Sequence, residues 1–567
     1  MSIYSHVESG TSFMKSRFSK SISNKMDYDC RFHELIPVLK RFCLPGDVWR
    51  IGGDVLVRFQ PMLAPTLTKN TFRVRYFFIP LRLIEENAEL IITGSKNGKL
   101  FEQSEDNPLP EFADFLANAA SSSKKIVSKY GFWDYMNVQC GDYSNFTAKE
   151  FLPAEYWYKA YLRIMFDYYR DENYDSEDDF DTWWNTKKTE AAAAPIEFSK
   201  LSKDYFTSAL PWQLKGVAPV LEVTGDASFT PNFSSAAAET GLSSSALNGL
   251  VGTFSAKSLY GTSLSPTGGT SGKLEPFMSP DANATEANAF QDRLVNWLNR
   301  PQESGVTINN LGFNADELRT MMAQTRIFER LARSGSRYVE YLRANFGTAP
   351  ADDTLQRAQY LGGWKVPIIT TEVLQTAEGS DGSVGSMYGH GITRGGQRIN
   401  TFFCKEFGIL FGLAEVRPDV TYTTGINRQL TYKRRFDFFN PSLQHLSEQE
   451  VRNGELFVNF TADAQGNYDN DDTLGFQAYA NELRSYQDEA VADMRAGLKY
   501  WNQALEFATR PNVSGLITAK NHLAAFNKPF NVTGAENARP VIVQFYNALD
   551  VYRPMVRYAT PGLVDHL

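Results

Sequence analysis

The sequence has few of the features that mark a membrane-bound or exported protein. No stretch among its 567 residues approaches the run of about 18 apolar residues that a membrane helix requires. The basic residues near the start, Lys15, Arg17 and Lys20, are not followed by an apolar segment, so no signal peptide is expected. We therefore expect the chain to act in the compartment where it is made, without inserting into a membrane.

Motifs that carry chemistry are also missing. The four cysteines show no CxxC spacing, which disfavours a zinc ribbon or a redox pair; they are Cys30, Cys43, Cys140 and Cys404. There is no phosphate-binding GxxxxGK[ST] loop, no GxSxG nucleophile motif and no HExxH zinc motif. The six histidines are widely separated. The sequence thus predicts no catalytic residue, no cofactor and no metal site, and a chain that is not an enzyme.

The composition indicates a folded, β-rich protein. Hydrophobic residues make up 43% of the chain and aromatic residues 13%, including 40 Phe and 27 Tyr. Such a chain has the apolar area that disordered proteins lack, and its aromatic residues favour strands and buried interfaces. The formal net charge of -8 gives no overall signal for nucleic-acid binding, although local basic patches remain compatible with it.

The first 26 residues form a polar, Ser-rich and locally basic arm. From Gly10 to Met26 the chain has four cations and no acidic residue; the cations are Lys15, Arg17, Lys20 and Lys25. Phe13 and Phe18 lie between them, and such a mixture can bind single-stranded nucleic acid because cations contact phosphate and rings stack on bases. A flexible, solvated terminus explains the same composition about as well, so both interpretations stay open.

A second basic and aromatic cluster lies late in the chain. Lys433, Arg434 and Arg435 are followed by three aromatic residues, Phe436, Phe438 and Phe439. The segment Val420 to Lys433 has a strand-like pattern. We therefore favour a structural or subunit-contact role for this cluster over nucleic-acid binding.

Periodic patterns predict strands at the start, middle and end of the chain. Apolar residues alternate with polar ones around Val55 to Phe59 and Phe72 to Phe78, as in half-buried strands. Further strands are predicted in Gln397–Arg417, Val420–Lys433 and Val541–Phe545, with a break at Pro418, and helices are predicted in Pro153–Tyr169, Asn314–Arg333 and Gly475–Thr509. Strands so far apart must share one sheet system, which predicts a β-sandwich or jelly roll with long loops.

Two segments have the composition of insertions or loops. Residues 226–288 are rich in Ser, Thr, Ala, Gly and Asn, which predicts an exposed surface insertion. In Asp171–Asp181 seven of eleven residues are acidic, and we favour a solvated loop there over a Ca²⁺ site because the spacing of an EF-hand is missing. The predicted organisation is a basic arm, 1–26, and one domain, 27–567, with insertions at 84–132 and about 226–288.

Several short segments, in order along the chain, resemble the major capsid protein of the Microviridae, and in particular its gokushovirus-like branch. The most specific is DYFTSALPWQLKG, Asp204 to Gly216, although Gln213 stands where that branch usually has proline. The other similar segments are LPGD at 44–47, YFFIPLRL at 76–83, YYRDEN at 168–173, RLARSGSRYVEY at 330–341, LQRAQYLGG at 355–363, EVRPDVT at 415–421, YKRRFDF at 432–438, RPM at 553–555 and PGLVDH at 561–566. The two insertions, 84–132 and 226–288, show no such similarity.

The resemblance implies a fold and a function. It implies a mainly β protein: a single eight-stranded antiparallel jelly roll of the viral capsid type, with long, partly helical insertions between strands. It also implies a major capsid protein that assembles as sixty copies in a T=1 icosahedral shell, in the bacterial host cytoplasm, around a circular single-stranded DNA genome. The implied partners are a DNA pilot (minor spike) protein, a scaffolding protein, the packaged DNA and a host receptor that contacts the insertions.

Two other classes of function remain to be weighed. A carbohydrate-binding or carbohydrate-active β protein would use aromatic residues to stack on sugars and paired carboxylates for hydrolysis, but no spacing in the sequence supports it. A different phage structural protein, such as a spike, would share the β-rich composition. Copy number in the virion separates the spike from a major capsid protein.

Overall fold

The structure, a computed structural model, describes most of the chain. The described residues are 18–93, 112–119, 125–146, 151–175, 179–190, 193–216, 224–230, 305–312, 315–334, 337–352, 354–376, 384–399, 401–444, 448–462, 466, 468–530 and 537–555. They fall into two compact units, of which the first contains 1–215 and 329–567 and the second contains 216–328.

The described chain contains more strands than α-helices. The strands are β1 (Phe18–Ser21), β2 (Asn24–Cys30), β3 (Ile36–Cys43), β4 (Val48–Phe59), β5 (Asn70–Pro80), β6 (Ile126–Val127), β7 (Gly141–Asp142), β8 (Thr224–Thr230), β9 (Gly305–Gly312), β10 (Gln359–Leu374), β11 (Met387–Arg398), β12 (Phe402–Phe403), β13 (Gly408–Pro418), β14 (Thr421–Tyr422), β15 (Glu448–Arg452), β16 (Thr473–Ala478), β17 (Asp488–Glu489) and β18 (Val541–Arg553). The α-helices are α1 (Leu81–Ile84), α2 (Ala88–Thr93), α3 (Phe132–Tyr135), α4 (Tyr156–Ile164), α5 (Phe180–Lys187), α6 (Ala315–Ser334), α7 (Tyr338–Phe346), α8 (Asn453–Leu456), α9 (Val513–Ile517) and α10 (Leu523–Asn527).

Eight of these strands form two four-stranded antiparallel sheets in the first unit. The first sheet has the order β2-β18-β4-β11, and the second has the order β3-β13-β5-β10. Counted along the chain, the first sheet contains the first, eighth, third and sixth of the eight strands, and the second contains the others. This interleaving of early and late strands is the double Greek key of a jelly roll. The expected eight-stranded jelly roll is therefore confirmed.

The strand β10 belongs to both sheets. Its first part, from Gln359 to Ile368, pairs with β5, and its last part, from Ile369 to Leu374, pairs with β11. The backbone shifts register between Tyr360 and Gly362, where Gly362 has a φ of +124°. A bulge of this kind bends a strand, so it helps one strand to serve two sheets.

Aromatic side chains fill the space between the two sheets. Phe545 of β18 lies 6.1 Å from the Trp364 ring and 6.1 Å from the Phe72 ring, measured between ring centroids. Trp364 and Phe72 come from the second sheet, so these contacts join the two sheets. Nearby, the buried Asn547 side chain donates a 2.8 Å hydrogen bond to the carbonyl oxygen of Val38, which joins β18 to β3. In β4, β5 and the start of β18, the apolar residues of the predicted alternating pattern are the ones that face this core.

A helical segment covers the outer side of the second sheet. The helix α4 continues as a π-helical turn, Met165–Tyr169, within the segment predicted to be helical. Trp157 packs edge-on against Phe411 of β13, and Tyr168 contacts Phe77 of β5. Because both sides of β13 are covered, nearly all its residues are buried. The first sheet lacks such a cover in the described chain, and its outward side chains are exposed.

The second unit contains a β-hairpin and part of a helix. Its strands β8 and β9 pair antiparallel, and α6 follows from Ala315. The helix predicted from Asn314 to Arg333 is confirmed, whereas Asn314 itself and most of the insertion predicted at 226–288 lie outside the described residues.

Two predictions of secondary structure are wrong. The segment Gly475–Thr509, predicted to be helical, contains the strand β16, the short strand β17 and separate 3-10 turns. Two of its alanines, Ala480 and Ala492, have positive φ angles, which a continuous right-handed helix excludes. The segment Val420–Lys433 is strand only at Thr421–Tyr422, and a 3-10 turn occupies Arg428–Thr431. Tertiary hydrogen bonds, described below, override the local pattern in both places.

Candidate functional site

The predicted basic arm is described only in part. Lys15 and Arg17 lie outside the described residues, and Lys20 belongs to β1, which pairs with the end of β18. Lys25 belongs to β2, is exposed, and forms an ion pair with Asp27 at 2.8 Å. An exposed ion pair of this kind contributes about 0–1 kcal/mol to the free energy of folding. Lys25 can therefore leave Asp27 and bind another anionic group at little cost. From Phe18 onward, therefore, much of the arm is paired strand rather than a free terminus.

The LPGD segment forms the turn between β3 and β4. Gly46 has a φ of +87°, which glycine adopts without the steric cost that a Cβ adds. The Asp47 carboxylate accepts a 2.9 Å hydrogen bond from the backbone N–H of Leu44 and closes the turn. Backbone hydrogen bonds from Gly46 to Cys404 and from Cys404 to Asp47 attach the turn to the chain before β13.

The RPM segment at the end of β18 holds this turn. The Arg553 guanidinium donates two hydrogen bonds to the buried Asp47 carboxylate, at 2.8 Å and 3.0 Å. It also donates to the carbonyl oxygen of Phe42. We name the pair of Arg553 and Asp47 the terminal clasp. The two residues are 506 positions apart in the sequence. The terminal clasp thus joins two of the segments that carry the sequence resemblance by one charged, hydrogen-bonded pair.

The DYFTSALPW segment is a structural loop. The Asp204 carboxylate accepts hydrogen bonds from the backbone N–H groups of Phe206 and Thr207 and from the Tyr422 hydroxyl. The buried Tyr205 hydroxyl donates to Glu455 at 2.8 Å. The loop is therefore fastened to the region after β13.

Exposed aromatic side chains gather in the loop Arg428–Asn440, which we call the aromatic loop. Phe436 is 75% exposed, Phe438 is 55% exposed and Phe439 is 43% exposed. The backbone N–H groups of Lys433 and Arg434 donate to the Asp437 carboxylate, so this part is a turn instead of the expected strand context. Exposed apolar clusters of this kind mark interaction surfaces.

Buried charges hold the base of the aromatic loop. Arg428 donates to a Glu455 carboxylate oxygen at 3.1 Å, and the Tyr432 hydroxyl donates to Glu482 at 2.7 Å. Burial alone lowers the pKa of Arg428, but Glu455, Tyr205 and Glu482 outweigh it and the pKa is raised. Burial raises the pKa of Glu455. The loop is thus fixed at its base while its phenylalanines face solvent.

The outer face of the first sheet presents a second exposed apolar row. The row consists of four paired residues on neighbouring strands: Ile369 on β10, Ile392 on β11, Arg58 on β4 and Ile542 on β18. The three isoleucines are 37% to 61% exposed. Arg58 lies between Ile392 and Ile542, and its side chain forms no ion pair with any described residue. Sequence analysis did not identify this row. The signal was the alternation in β4 and β18, because Arg58 and Ile542 occupy positions between buried residues and therefore face outward.

The described residues offer little for catalysis. No group of three or more His, Cys, Asp or Glu side chains among them could hold a metal ion. Of the acidic stretch, Asp171 pairs with Lys203 and Asp175 pairs with Lys200. Histidines His33 and His522 are buried, and burial lowers the pKa of each. Among the described helices, none is long and apolar enough to cross a membrane.

Comparison with known proteins identifies the family. The family described as "Capsid protein (F protein)" matches residues 5–563. The chain belongs to this family. It is 26% identical to the capsid protein VP1 of Chlamydia phage 1, over 99% of this chain and 97% of that protein. It is 25% identical to the VP1 proteins of Bdellovibrio phage phiMH2K, over 97% of this chain and 95% of the relative, and of Spiroplasma virus 4, over 94% and 92%.

The family assigns a structural role. The resemblance to the Microviridae capsid proteins is confirmed, and the chain is a capsid protein rather than an enzyme. Its functional surfaces are consequently contact surfaces, and the aromatic loop and the exposed row on the first sheet are the candidates. The motif segments at 44–47, 204–216 and 553–555 have structural roles in this fold.

The terminal clasp gives a direct test of the structural role of these motifs. Arg553→Ala leaves the buried Asp47 carboxylate without its cation, which we expect to lower the free energy of unfolding by about 3–5 kcal/mol. The control is Arg398→Ala, because Arg398 pairs with Asp550 at 3.3 Å on the exposed surface and its loss is expected to cost less than about 1 kcal/mol. Urea unfolding of the purified chain, followed by tryptophan fluorescence, measures both. Equal losses in the two variants would contradict the prediction.

Proposed function

We propose that this capsid protein is the major subunit of a T=1 icosahedral shell, sixty copies of which enclose a circular single-stranded DNA genome. The match of a capsid family to residues 5–563 carries the proposal. The jelly roll and the exposed apolar surfaces support it, since a closed shell needs the same contacts to repeat between identical copies. Assembly in the bacterial host cytoplasm, with a scaffolding protein and a DNA pilot (minor spike) protein as partners, is part of the proposal.

The aromatic loop is the proposed contact between copies of the chain. Each phenylalanine that passes from solvent into an interface contributes about 1.5–3 kcal/mol. Association costs about 4–15 kcal/mol in lost translational and rotational freedom. Phe436 and Phe438, both more than half exposed in the single chain, therefore offset part of that cost when they are buried together.

Assembly tests this proposal. We expect the chain, expressed with its scaffolding protein, to form uniform icosahedral particles under the electron microscope, and to be the dominant band of purified virions on a stained gel. The double variant Phe436→Ser, Phe438→Ser should fold but yield few or no particles, because the contact loses its apolar area. Ser442→Ala, at the exposed neighbouring turn, serves as the control. The proposal would be contradicted if the wild-type chain stayed monomeric when it is expressed with its scaffolding protein.

We also propose that the basic arm faces the packaged DNA, with Lys15, Arg17, Lys20 and Lys25 contacting phosphates. The absence of acidic residues between Gly10 and Met26 supports this, because the segment itself contributes no carboxylate that could neutralise its four cations.

Cross-linking inside particles tests the arm. Ultraviolet cross-linking of packaged DNA, followed by proteolysis and mass spectrometry, should recover peptides from residues 10–26. Replacing the four cations by Gln should reduce that yield several-fold, whereas the same number of Gln substitutions at exposed lysines of other segments should not. Repeated cross-linking that never recovers this segment would count against the arm.

The insertion at about 226–288 is proposed to project outward and to contact the host receptor. Its small, polar residues cannot build a core, so an outward position is favoured. Limited proteolysis of intact particles should therefore cleave within this segment at rates similar to those for disrupted particles. Cleavage seen only after disruption would contradict an outward position. The insertion at 84–132 is proposed to be a second surface insertion.

A further inference from the structure

A basic cleft lies in the first unit, where three of the segments that carry the sequence resemblance meet. Its walls come from the end of the π-helical turn, from β5 and β13, and from the start of α7, and its volume is about 560 Å³. The segments are 168–173, 330–341 and 415–421, and they contribute Tyr169, Arg337 and Arg417 among others. None of the capsid contacts proposed above uses this cleft.

The centre of the cleft has more positive than negative charge. Arg73, Arg75 and Arg417 line it, and the carboxylate among them is that of Glu415, which is 2% exposed. Arg73 donates to Glu415 at 2.8 Å, and Arg417 reaches the same carboxylate at 3.8 Å. Arg75 forms no ion pair with any described residue; its guanidinium lies 5.4 Å from the centre of the Tyr169 ring. Two guanidinium groups thus share one carboxylate, and the third, that of Arg75, lies beside them without a described carboxylate partner.

The rim of the cleft, in contrast, is internally paired. Lys200 pairs with Asp175, and Lys203 pairs with Asp171. Arg337 donates to Glu172 at 3.0 Å. Since these rim cations have partners within the protein, the surplus positive charge is concentrated at the three central arginines. Such a focused surplus suits one anionic group better than a long polyanion groove.

Burial makes this surplus of positive charge costly. Burial lowers the pKa of Arg417, and the neighbouring Arg73 and Arg75 lower it further, against the opposing effect of Glu415. The Tyr169 hydroxyl is buried beside the Arg75 guanidinium; burial and the Glu415 carboxylate raise the pKa of this hydroxyl, whereas Arg75 opposes them. A bound anion would accept hydrogen bonds from Arg75 and Tyr169 and relieve the repulsion among the arginines.

We propose that Arg73, Arg75, Arg417 and Tyr169 form a phosphate-binding site. Guanidinium groups match the tetrahedral oxygens of phosphate by paired hydrogen bonds, and the volume of the cleft exceeds that of the anion alone. The phosphate has two possible sources, a phosphodiester of the packaged DNA strand or free inorganic phosphate. The first source rests on the proposed function; the second does not.

Binding to the full-length chain tests the site. Inorganic phosphate and a ten-nucleotide oligothymidylate are titrated separately by calorimetry, and phosphate is then used as a competitor of the oligonucleotide. Arg75→Gln is the main variant, because Arg75 has no carboxylate partner to be left unpaired. We expect it to weaken binding of the relevant probe at least tenfold. Arg58→Gln, an exposed unpaired cation on the first sheet, is the matched control and should leave affinity within twofold.

The outcomes separate the two sources and the two proposals. If Arg75→Gln weakens the binding of inorganic phosphate, the ligand of the site is free phosphate. If it weakens the binding of the oligonucleotide alone, the ligand is a phosphodiester of the DNA strand. Arg75→Lys should restore part of the affinity, and Tyr169→Phe, which removes only the hydroxyl, serves if Arg75→Gln does not fold. If the wild-type chain binds neither probe, or if Arg75→Gln binds both as the wild type does, the inference is overturned. Particle formation under the electron microscope reports on the capsid role independently.

Discussion

The pairing of the last strand with the first ones is the constraint on which the rest of the structure depends. β18 lies between β2 and β4 in the first sheet, so that Val541 pairs with Cys30 on one side and with Phe59 on the other. The first sheet therefore cannot close until nearly the whole chain has been made. Long-range pairing of this kind slows folding, because the entropy of loop closure is lost before the contacts form.

The same constraint explains why the fold accepts large insertions. Closing a flexible loop costs only about 0.6 kcal/mol more for each doubling of its length. The connection from Pro80 to Gln359 can thus be long without displacing β5 from β10, whose register from Asn70 to Phe78 is kept by backbone pairing. What the connection must provide is a cover for the second sheet, and the aromatic segment with Trp157 and Tyr168 does so. With the second sheet covered, the exposed face of the first sheet and the aromatic loop are left to meet other molecules.

The sequence predicted the parts of the fold that depend on local periodicity. Val55, Val57 and Phe59 alternate with exposed residues as expected, because one side of β4 faces the core and the other faces solvent. The prediction was wrong in Gly475–Thr509, where single side chains decide the backbone path: the buried Gln477 amide donates to the carbonyl oxygen of Tyr205, more than 200 residues away by number. A local pattern contains no information about such a partner. The jelly-roll order of the strands came from the resemblance, since alternation alone does not say which strands pair.

The functional surfaces were predictable to a smaller degree, for the same reason. Phe436 and Phe438 were noticed as a cluster with Lys433, but their exposure follows from the turn that Asp437 closes and from the Arg428 pairs beneath it. The basic cleft could not be predicted from the sequence, because Arg75, Tyr169 and Arg417 belong to three separate segments that only the fold brings together.

The distribution of charge explains how a chain with a net charge of -8 is compatible with a role around nucleic acid. Copies of such a chain repel one another and repel DNA, and screening at physiological ionic strength limits this repulsion to about 8 Å. Attraction therefore has to come from cations that are locally in excess. Many cations of the described chain do not meet this condition: Lys203 and Arg553, for example, are paired within the protein. Arg75 in the cleft has no such partner, and neither does Arg58 among the isoleucines of the first sheet. Arg58 is flanked by apolar side chains, as arginines in protein contacts commonly are. Arg75 is instead flanked by other arginines, whose mutual repulsion a bound anion would reduce.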